Sequence, residues 1–196
     1  MSKREQIAAY VGRKITFLSE GSDSFAGAEL AKLRRGVGKI PGEKPDLYGF
    51  FLQDMPEEFW RLNGNASAEE WACYLAVTMY SLHQQGNSLK THNLHTSAEG
   101  ESLGRALGRL AMAQGDSNAG ERMQKKLQMV ITSNDMGEFS HHLKGIIMLL
   151  KSEGISLNYM ELAQDIYDFQ FEESKVKVSL RWGQDFFRKE KGKENE

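Results

Sequence analysis

Lysine and arginine residues recur at helical spacing in several parts of the chain, and this spacing suits the binding of phosphate groups. Residues three or four positions apart project from the same face of a helix. A row of cations on one face neutralises successive phosphates of a nucleic-acid backbone, and arginine adds bidentate hydrogen bonds. Such contacts give affinity without sequence preference. The spaced pairs are Lys32 with Arg35, Arg105 with Arg109, and Arg122 with Lys126, and Arg34, Lys125 and Lys144 are further candidates.

Residues that could catalyse a reaction or hold a metal do not form a recognisable set. Cys73 lies among apolar residues of a predicted helix, which favours a buried and inert thiol. His141 and His142 are adjacent and so point in different directions, while His92 and His95 have no third ligand nearby in the sequence. Neither a phosphate-binding loop nor a dinucleotide fingerprint occurs. We expect no catalytic residue, no metal site and no cofactor.

A small hydrolase stays open as an alternative because of two spaced carboxyl groups. Asp165 and Asp168 are three residues apart on a predicted helix, and His142 is the remaining candidate for acid–base work. The segment around the aspartates contains no base. We therefore expect both aspartates to lie on a solvent-exposed acidic face.

The composition predicts a globular protein of the cytoplasm. The chain has 196 residues, 25 Lys and Arg against 27 Asp and Glu, and 40% hydrophobic residues, enough for a packed core in one domain or two small ones. The single cysteine excludes an internal disulfide and a four-cysteine zinc site. The longest apolar run, Ile146–Leu150, is too short to cross a bilayer, and no apolar stretch of signal-peptide length follows Met1.

Charge is distributed unevenly along this nearly neutral chain. Separate basic blocks can form one positive face on a protein whose net charge is only -2. The same blocks also fit ordinary solvated helix faces. Acidic residues dominate segments 45–72 and 154–174, and basic residues dominate segments 30–44, 104–126 and 175–193.

Apolar residues recur every three or four positions through most of the chain, whereas strand patterns are almost absent. Capping boxes at Ser2 and Ser67, and the capping residues Asp135 and Asn158, mark predicted helix starts. Gly36 is predicted to end the second helix in the left-handed conformation. Short connections favour antiparallel neighbours. The sequence therefore predicts an all-α fold of two packed bundles with about eight or nine helices.

Polar and glycine-containing segments mark the predicted boundaries. The break at 115–118 separates an N-terminal helical domain, residues 1–115, from a C-terminal helical bundle, residues 116–196. We expect a surface loop at 87–100 and a frayed polar tail at 189–196. The last helix is predicted to begin near Glu172 and to carry Val176, Leu180 and Phe187 on its apolar face.

Five short motifs, in order along the chain from about Phe25 to Phe187, resemble the CasB-type small subunit of the type I-E CRISPR surveillance complex, Cascade. Each motif is modest alone, and their common order makes the resemblance fairly specific. The motifs are Leu30-Ala-Lys-Leu-Arg-Arg-Gly36, Ser102-Leu-Gly-Arg-Ala-Leu107, Leu143-Lys144, Ile155-Ser-Leu-Asn-Tyr-Met-Glu-Leu-Ala163 and Arg181-Trp-Gly-Gln-Asp-Phe-Phe187.

The resemblance implies an all-helical subunit without enzymatic activity. In that family two copies pack together and brace the guide RNA–target DNA heteroduplex and the displaced strand, while a separate nuclease-helicase cleaves. The family's nucleic-acid contacts correspond to Arg35, Arg105, Arg122 and Lys144, whereas the other five candidate cations come from helical geometry alone. Some members carry a second base after the position of Lys144, where this chain has Gly145.

The resulting hypothesis is a non-catalytic subunit that stabilises guide RNA–target DNA pairing and the displaced strand in antiviral defence. Its expected partners are guide RNA, target and displaced DNA, the large and backbone subunits of Cascade, and a second copy of itself, with no membrane involved. A helical adaptor that binds only proteins is the alternative. In that case the candidate cations are simply solvated.

Overall fold

The structure is a computed structural model that describes residues 1–86 and 100–188, and these residues form helices and no strand. The all-α prediction is confirmed. Of the predicted loop at 87–100, all but Gly100 lies outside the described residues, including its histidines, and so does the predicted tail at 189–196. In the described segments the helices are α1 (Lys3–Glu20), α2 (Asp23–Arg34), α3 (Tyr48–Leu52), α4 (Ala68–His83), α5 (Leu103–Gln114), α6 (Ala119–Ile131), α7 (Met136–Ser152), α8 (Tyr159–Phe169) and α9 (Glu172–Phe187), with 3₁₀ turns at Pro45–Leu47 and Glu57–Phe59.

Side-chain caps begin the helices where the sequence predicts them. The hydroxyl of Ser2 accepts from the backbone N–H of Glu5, whose carboxylate accepts from the N–H of Ser2, so the capping box is confirmed. Ser67 forms the same arrangement at α4. Asp135 and Asn158 cap α7 and α8 as predicted. These bonds satisfy N–H groups that the first helical turn leaves without partners.

Helix α4 occupies the centre of the molecule. Residues 72–81 are buried without interruption, and α4 contacts α1, α2, α7 and α8. A helix that is apolar on all sides needs neighbours all round it. Its threonine and serine hydroxyls stay hydrogen-bonded within the helix, since Thr78 donates to the carbonyl of Tyr74 and Ser81 to that of Thr78. Burial therefore leaves these polar atoms satisfied.

A second group of helices packs around α5. Helix α5 contacts α6, α7 and α9, and the surfaces of α5 and α9 approach closely at Gly104 and Gly108. A Cβ on Gly104 would lie 2.1 Å from the carbonyl oxygen of Trp182. Only glycine therefore permits this spacing between the two backbones.

The predicted boundary at residue 115 coincides with a helix end. Gly115 adopts φ +64° and ends α5, as a left-handed C-terminal cap does. Helices on either side of this point contact one another, since α1 and α4 both pack against α8, and their buried residues belong to one apolar cluster. The division into an N-terminal and a C-terminal bundle stays a prediction.

The prediction that Gly36 ends α2 in the left-handed conformation was wrong. Gly36 is not among the glycines with positive φ, and α2 ends at Arg34 with Arg35 in ordinary helical conformation. Instead, a Cβ on Gly36 would lie 2.7 Å from the hydroxyl oxygen of Tyr74, which donates to the Gly36 carbonyl. Close packing against α4 requires glycine at this position.

The predicted apolar face of α9 was also wrong. Val176, Leu180 and Phe187 are exposed, whereas Val178 and Trp182 are buried. Both sets recur at helical spacing, so the sequence pattern alone does not choose between them. Packing decides for Trp182, because its ring stacks at 6.1 Å on Phe169 and its indole N–H donates to Asp165.

Across residues 1–86 and 100–188, no helix combines the length and the apolar character that a bilayer crossing needs.

Candidate nucleic-acid interface

The first cluster of candidate cations lies where α2 ends. Lys32 pairs with Glu29, and the guanidinium of Arg35 pairs with Asp46 at 2.6 Å. The arginine lowers the pKa of the Asp46 carboxyl by hydrogen bonding to it. Arg34 has no hydrogen bond or ion pair among the described residues, and partial burial lowers its pKa. Of these three cations, Arg34 alone keeps a charge that no carboxylate offsets by direct contact.

Two arginines project from α5 one turn apart, as predicted. The guanidinium of Arg105 donates to the backbone carbonyl of Arg188 at 2.6 Å, which ties α5 to the end of α9. Arg109 is exposed and pairs with Glu101, just before the helix. Both arginines of this predicted pair therefore contact other residues of the fold.

On α6 the candidate cations differ in their partners. Arg122 donates to both carboxylate oxygens of Asp116, at 2.8 and 2.6 Å, and this bidentate bond lowers the pKa of Asp116 to about 2. Lys125 pairs with Glu121 at 2.7 Å. Lys126 has no hydrogen bond or ion pair within the described segments. Its ammonium group is thus available to a phosphate.

Lys144 lies on α7, the helix that follows and contacts α6. It is exposed and has no hydrogen-bond or ion-pair partner among residues that the structure describes. Two cations without carboxylate partners among the described residues thus lie on helices that contact each other.

Ion pairs between described residues join carboxylates to Lys32, Arg35, Arg109, Arg122 and Lys125. Exposed ion pairs contribute about 0–1 kcal/mol each, so a phosphate can displace the carboxylate at small cost. The carboxylates nevertheless reduce the local positive potential. The strongest uncompensated charge in the predicted set therefore lies on α6 and α7, with Arg34 at the end of α2.

The expectation that Asp165 and Asp168 lie on a solvated face was wrong. Both are buried, and each binds an arginine from another helix: Arg181 for Asp165 and Arg4 for Asp168. The indole of Trp182 also donates to Asp165 at 2.7 Å. These carboxyl groups hold α8 against α1 and α9. Both arginine partners lie outside the acidic segment 154–174, so the composition of that segment did not indicate the ion pairs.

The other candidates for chemistry show only structural contacts. Cys73 is fully buried, which raises the pKa of its thiol, as expected for an inert residue. The rings of His141 and His142 lie 5.4 Å apart, and His142 approaches Glu138 at 3.5 Å. No group of three potential metal ligands occurs in the part of the chain that the structure describes.

A cavity between the 3₁₀ turn at 45–47, α3 and α4 was not anticipated from the sequence. It has a volume of about 220 Å³, and its lining includes Lys44 and Arg61. The sequence placed Lys44 in a basic block and Arg61 as the lone base of an acidic block. Chain folding brings these two cations to one opening. The run of aromatic and apolar residues from Leu47 to Leu52 was the available signal.

Comparison with known proteins gives a consistent result. The family model described as CRISPR-associated protein Cse2 matches residues 29–187. Among solved structures, the crystal structure of CasB from Thermobifida fusca is similar, with a TM-score of 0.71 and 26% sequence identity. That match covers 93% of this chain and 98% of the other. A search of curated proteins found no match.

Proposed function

The chain belongs to the family of the CRISPR-associated protein Cse2, and on this basis we propose that it is the non-catalytic small subunit of a type I-E Cascade complex. The resemblance to CasB-type subunits is thereby confirmed. In this proposal the protein binds nucleic-acid backbones in the cytoplasm and stabilises both the guide RNA–target DNA duplex and the displaced strand. Its partners are these nucleic acids, the large and backbone subunits, and a second copy of itself.

The observation that supports this proposal most directly is the pair of lysines on α6 and α7. Lys126 and Lys144 lack carboxylate partners in the described segments and lie on two helices that contact each other. Displacing one DNA strand by a guide RNA is close to balanced in free energy, so a few backbone contacts suffice to favour the open state. Contacts of this kind need no reading of bases.

The ion-paired cations fit the same function in a second way. Carboxylates beside Arg35, Arg109 and Arg122 weaken the attraction to free nucleic acid, which limits binding outside the complex. Inside the complex, a strand held close by other subunits raises the local phosphate concentration. Phosphates then displace the carboxylates of Asp46 and Asp116 at small cost, since these two pairs are exposed.

Substitution of the two unpaired lysines tests the proposal. The Lys126→Ala/Lys144→Ala variant should bind single-stranded DNA of unrelated sequences more weakly and to a uniform extent. The slope of log K against log salt should fall by roughly 0.7 for each lost contact. Fluorescence anisotropy at several salt concentrations measures both quantities. The matched control is Lys126→Arg/Lys144→Arg, which retains the charge and should retain the binding.

A variant that should strengthen DNA binding complements this test. Glu121→Gln removes the carboxylate that pairs with Lys125 and should strengthen DNA binding. Unchanged affinity in both Lys126→Ala/Lys144→Ala and Glu121→Gln would show that α6 and α7 do not contact nucleic acid.

A protein-binding adaptor is the second candidate, because α9 exposes apolar side chains. Val176, Leu180 and Phe187 are each more than 60% exposed. An adaptor would lose co-purification with the Cascade backbone subunits when Leu180 is changed to Asp. It would keep its function when both lysines are changed to Ala.

A further inference from the structure

The cavity beside α3 has an apolar floor of limited size. Its volume, about 220 Å³, lies below the range of roughly 300–1,000 Å³ that suits drug-sized ligands. One planar ring system is therefore a better match than a larger ligand. Tyr48 is about 44% exposed and offers its ring at the rim. The buried side chains of the floor are Leu47, Phe51, Met55 and Tyr74.

Two cations lie in the lining of the cavity around this apolar floor. Lys44 and Arg61 line the cavity, and neither side chain has a hydrogen bond or ion pair among the described residues. The one carboxylate in the lining, Glu70, accepts from the backbone N–H of Ser67 at 2.7 Å in the capping box. The cavity therefore favours a ligand that joins an apolar ring to a negative group.

The cavity also contains polar atoms suited to the edge of a heterocycle. The hydroxyl of Tyr74 donates to the carbonyl of Gly36 at 2.9 Å and keeps its lone pairs for a donor. The side-chain amide of Asn65 has no partner within residues 1–86 and 100–188. Together they supply an acceptor and an amide that can pair with a base edge.

The cavity adjoins the first cluster of candidate cations. Its wall at Pro41, Gly42 and Lys44 continues the chain from Arg34 and Arg35, and the bond from Tyr74 fixes Gly36 to α4. Arg35 also pairs with Asp46 in the 3₁₀ turn that borders the cavity, so this cation lies close to the opening.

We propose that this cavity receives one unstacked base of a single-stranded nucleic acid, whose flanking phosphates bind Lys44 and Arg61. Bases stack on aromatic side chains regardless of sequence, so the site adds affinity without base selection. The inference rests on the proposed function, because it assigns a place to the strand that the subunit binds. An acidic protein segment with an aromatic side chain is the competing occupant, and the experiment separates the two.

Methionine methyl resonances of the full-length protein report on the cavity directly. The Met55 methyl lies in the lining, and the exposed Met112 and Met148 serve as controls. Deoxyadenosine 5′-monophosphate should shift the Met55 signal through the ring current of the base and leave both controls in place. Inorganic phosphate should not shift it. If the dipeptide Asp-Phe moves the signal and the nucleotide does not, or if neither does, the proposal is overturned.

Substitution at the rim gives an independent test that does not disturb the core. Tyr48→Ala should weaken binding of a single-stranded oligonucleotide roughly fivefold or more through the loss of stacking. Tyr48→Phe should retain binding, although it removes the bond from the Tyr48 hydroxyl to Gly42. Phe171→Ala, which removes a similarly exposed ring elsewhere, should leave binding unchanged.

The two proposals fail in different ways. If the wild type binds DNA, the α6 and α7 lysines matter and Tyr48→Ala has no effect, only the cavity proposal fails. If the wild type binds no single-stranded DNA, both proposals fail, and a shift of Met55 by the nucleotide then shows only that the cavity accepts a free nucleotide.

Discussion

Asp165 illustrates how burial changes the behaviour of a single carboxyl group. It is almost inaccessible to solvent, and desolvation raises its pKa to about 6 even though Arg181 and Trp182 stabilise the ionised form. The raised pKa of Arg181 shows that the ion pair is attractive. Desolvation of the carboxylate exceeds that attraction, as often occurs for buried ion pairs.

The raised pKa of Asp165 predicts a pH dependence of folding stability. The folded state binds the proton more tightly than the unfolded state, so this residue's contribution is greatest below pH 4. It falls as the pH rises from about 4 to about 6. We expect the unfolding free energy of wild type, relative to Asp165→Asn, to decrease by up to about 3 kcal/mol across this window.

Urea unfolding at pH 4, 5, 6 and 7 measures that difference. The comparison with Asp165→Asn isolates this residue from Asp116, whose lowered pKa gives the opposite slope at lower pH. A difference that increases with pH would mean that the attraction of Arg181 exceeds desolvation.

At the scale of helices, glycine determines how closely α5 and α9 approach. Gly104→Ala places a methyl group against the backbone of Trp182. Without any movement of the helices, the new Cβ would lie only 2.1 Å from the Trp182 carbonyl oxygen. Forced separation of packed helices costs about 1–3 kcal/mol, which outweighs the gain of up to about 1 kcal/mol from the better helix former. We expect a net loss of stability in urea unfolding.

Gly145→Ala on α7 is the matched control for Gly104→Ala. Its added Cβ meets no atom within 4 Å, so the substitution should stabilise the protein by about 0.5–1 kcal/mol. Equal effects of the two substitutions would show that α5 and α9 are not held at the observed spacing.

Local sequence signals predicted most of the helices, whereas the packing between distant helices could not be predicted from the sequence. Ser2, Ser67 and Asp135 act within one turn, so their caps are readable from neighbouring residues. The exposed side of α9 and the burial of Asp165 depend on partners from other helices. No spacing rule within one segment encodes such contacts.

The candidate interface was predictable to a similar extent. Helical spacing placed Arg105 beside Arg109 and Arg122 beside Lys126, since a helix fixes which residues share a face. Glu121, which pairs with Lys125, lies four residues earlier, so helical spacing also indicates this ion pair. The contact from Arg105 to the carbonyl of Arg188 joins residues 83 positions apart, and only the fold reveals it.

At the scale of the whole molecule, the distribution of charge matters more than its sum. The chain is slightly acidic overall, yet salt screens charges beyond about 8–10 Å, so a strand responds mainly to the nearest side chains. The segment of α6 and α7 around Lys126 and Lys144 is therefore positive locally. Adding one cation there should change binding out of proportion to the change in net charge.

Gly145→Arg makes that addition directly after Lys144. The position is free of steric obstruction, because a Cβ there meets no atom within 4 Å. We expect tighter binding of single-stranded DNA and a slope of log K against log salt that steepens by roughly 0.7 for one new phosphate contact. Anisotropy titrations across several salt concentrations measure both effects. Gly145→Gln provides the same gain in helix propensity without the charge and should leave the slope unchanged. Equal binding by Gly145→Arg and Gly145→Gln would place the nucleic acid away from α7, because a new arginine beside a bound phosphate cannot leave the electrostatic attraction unaltered.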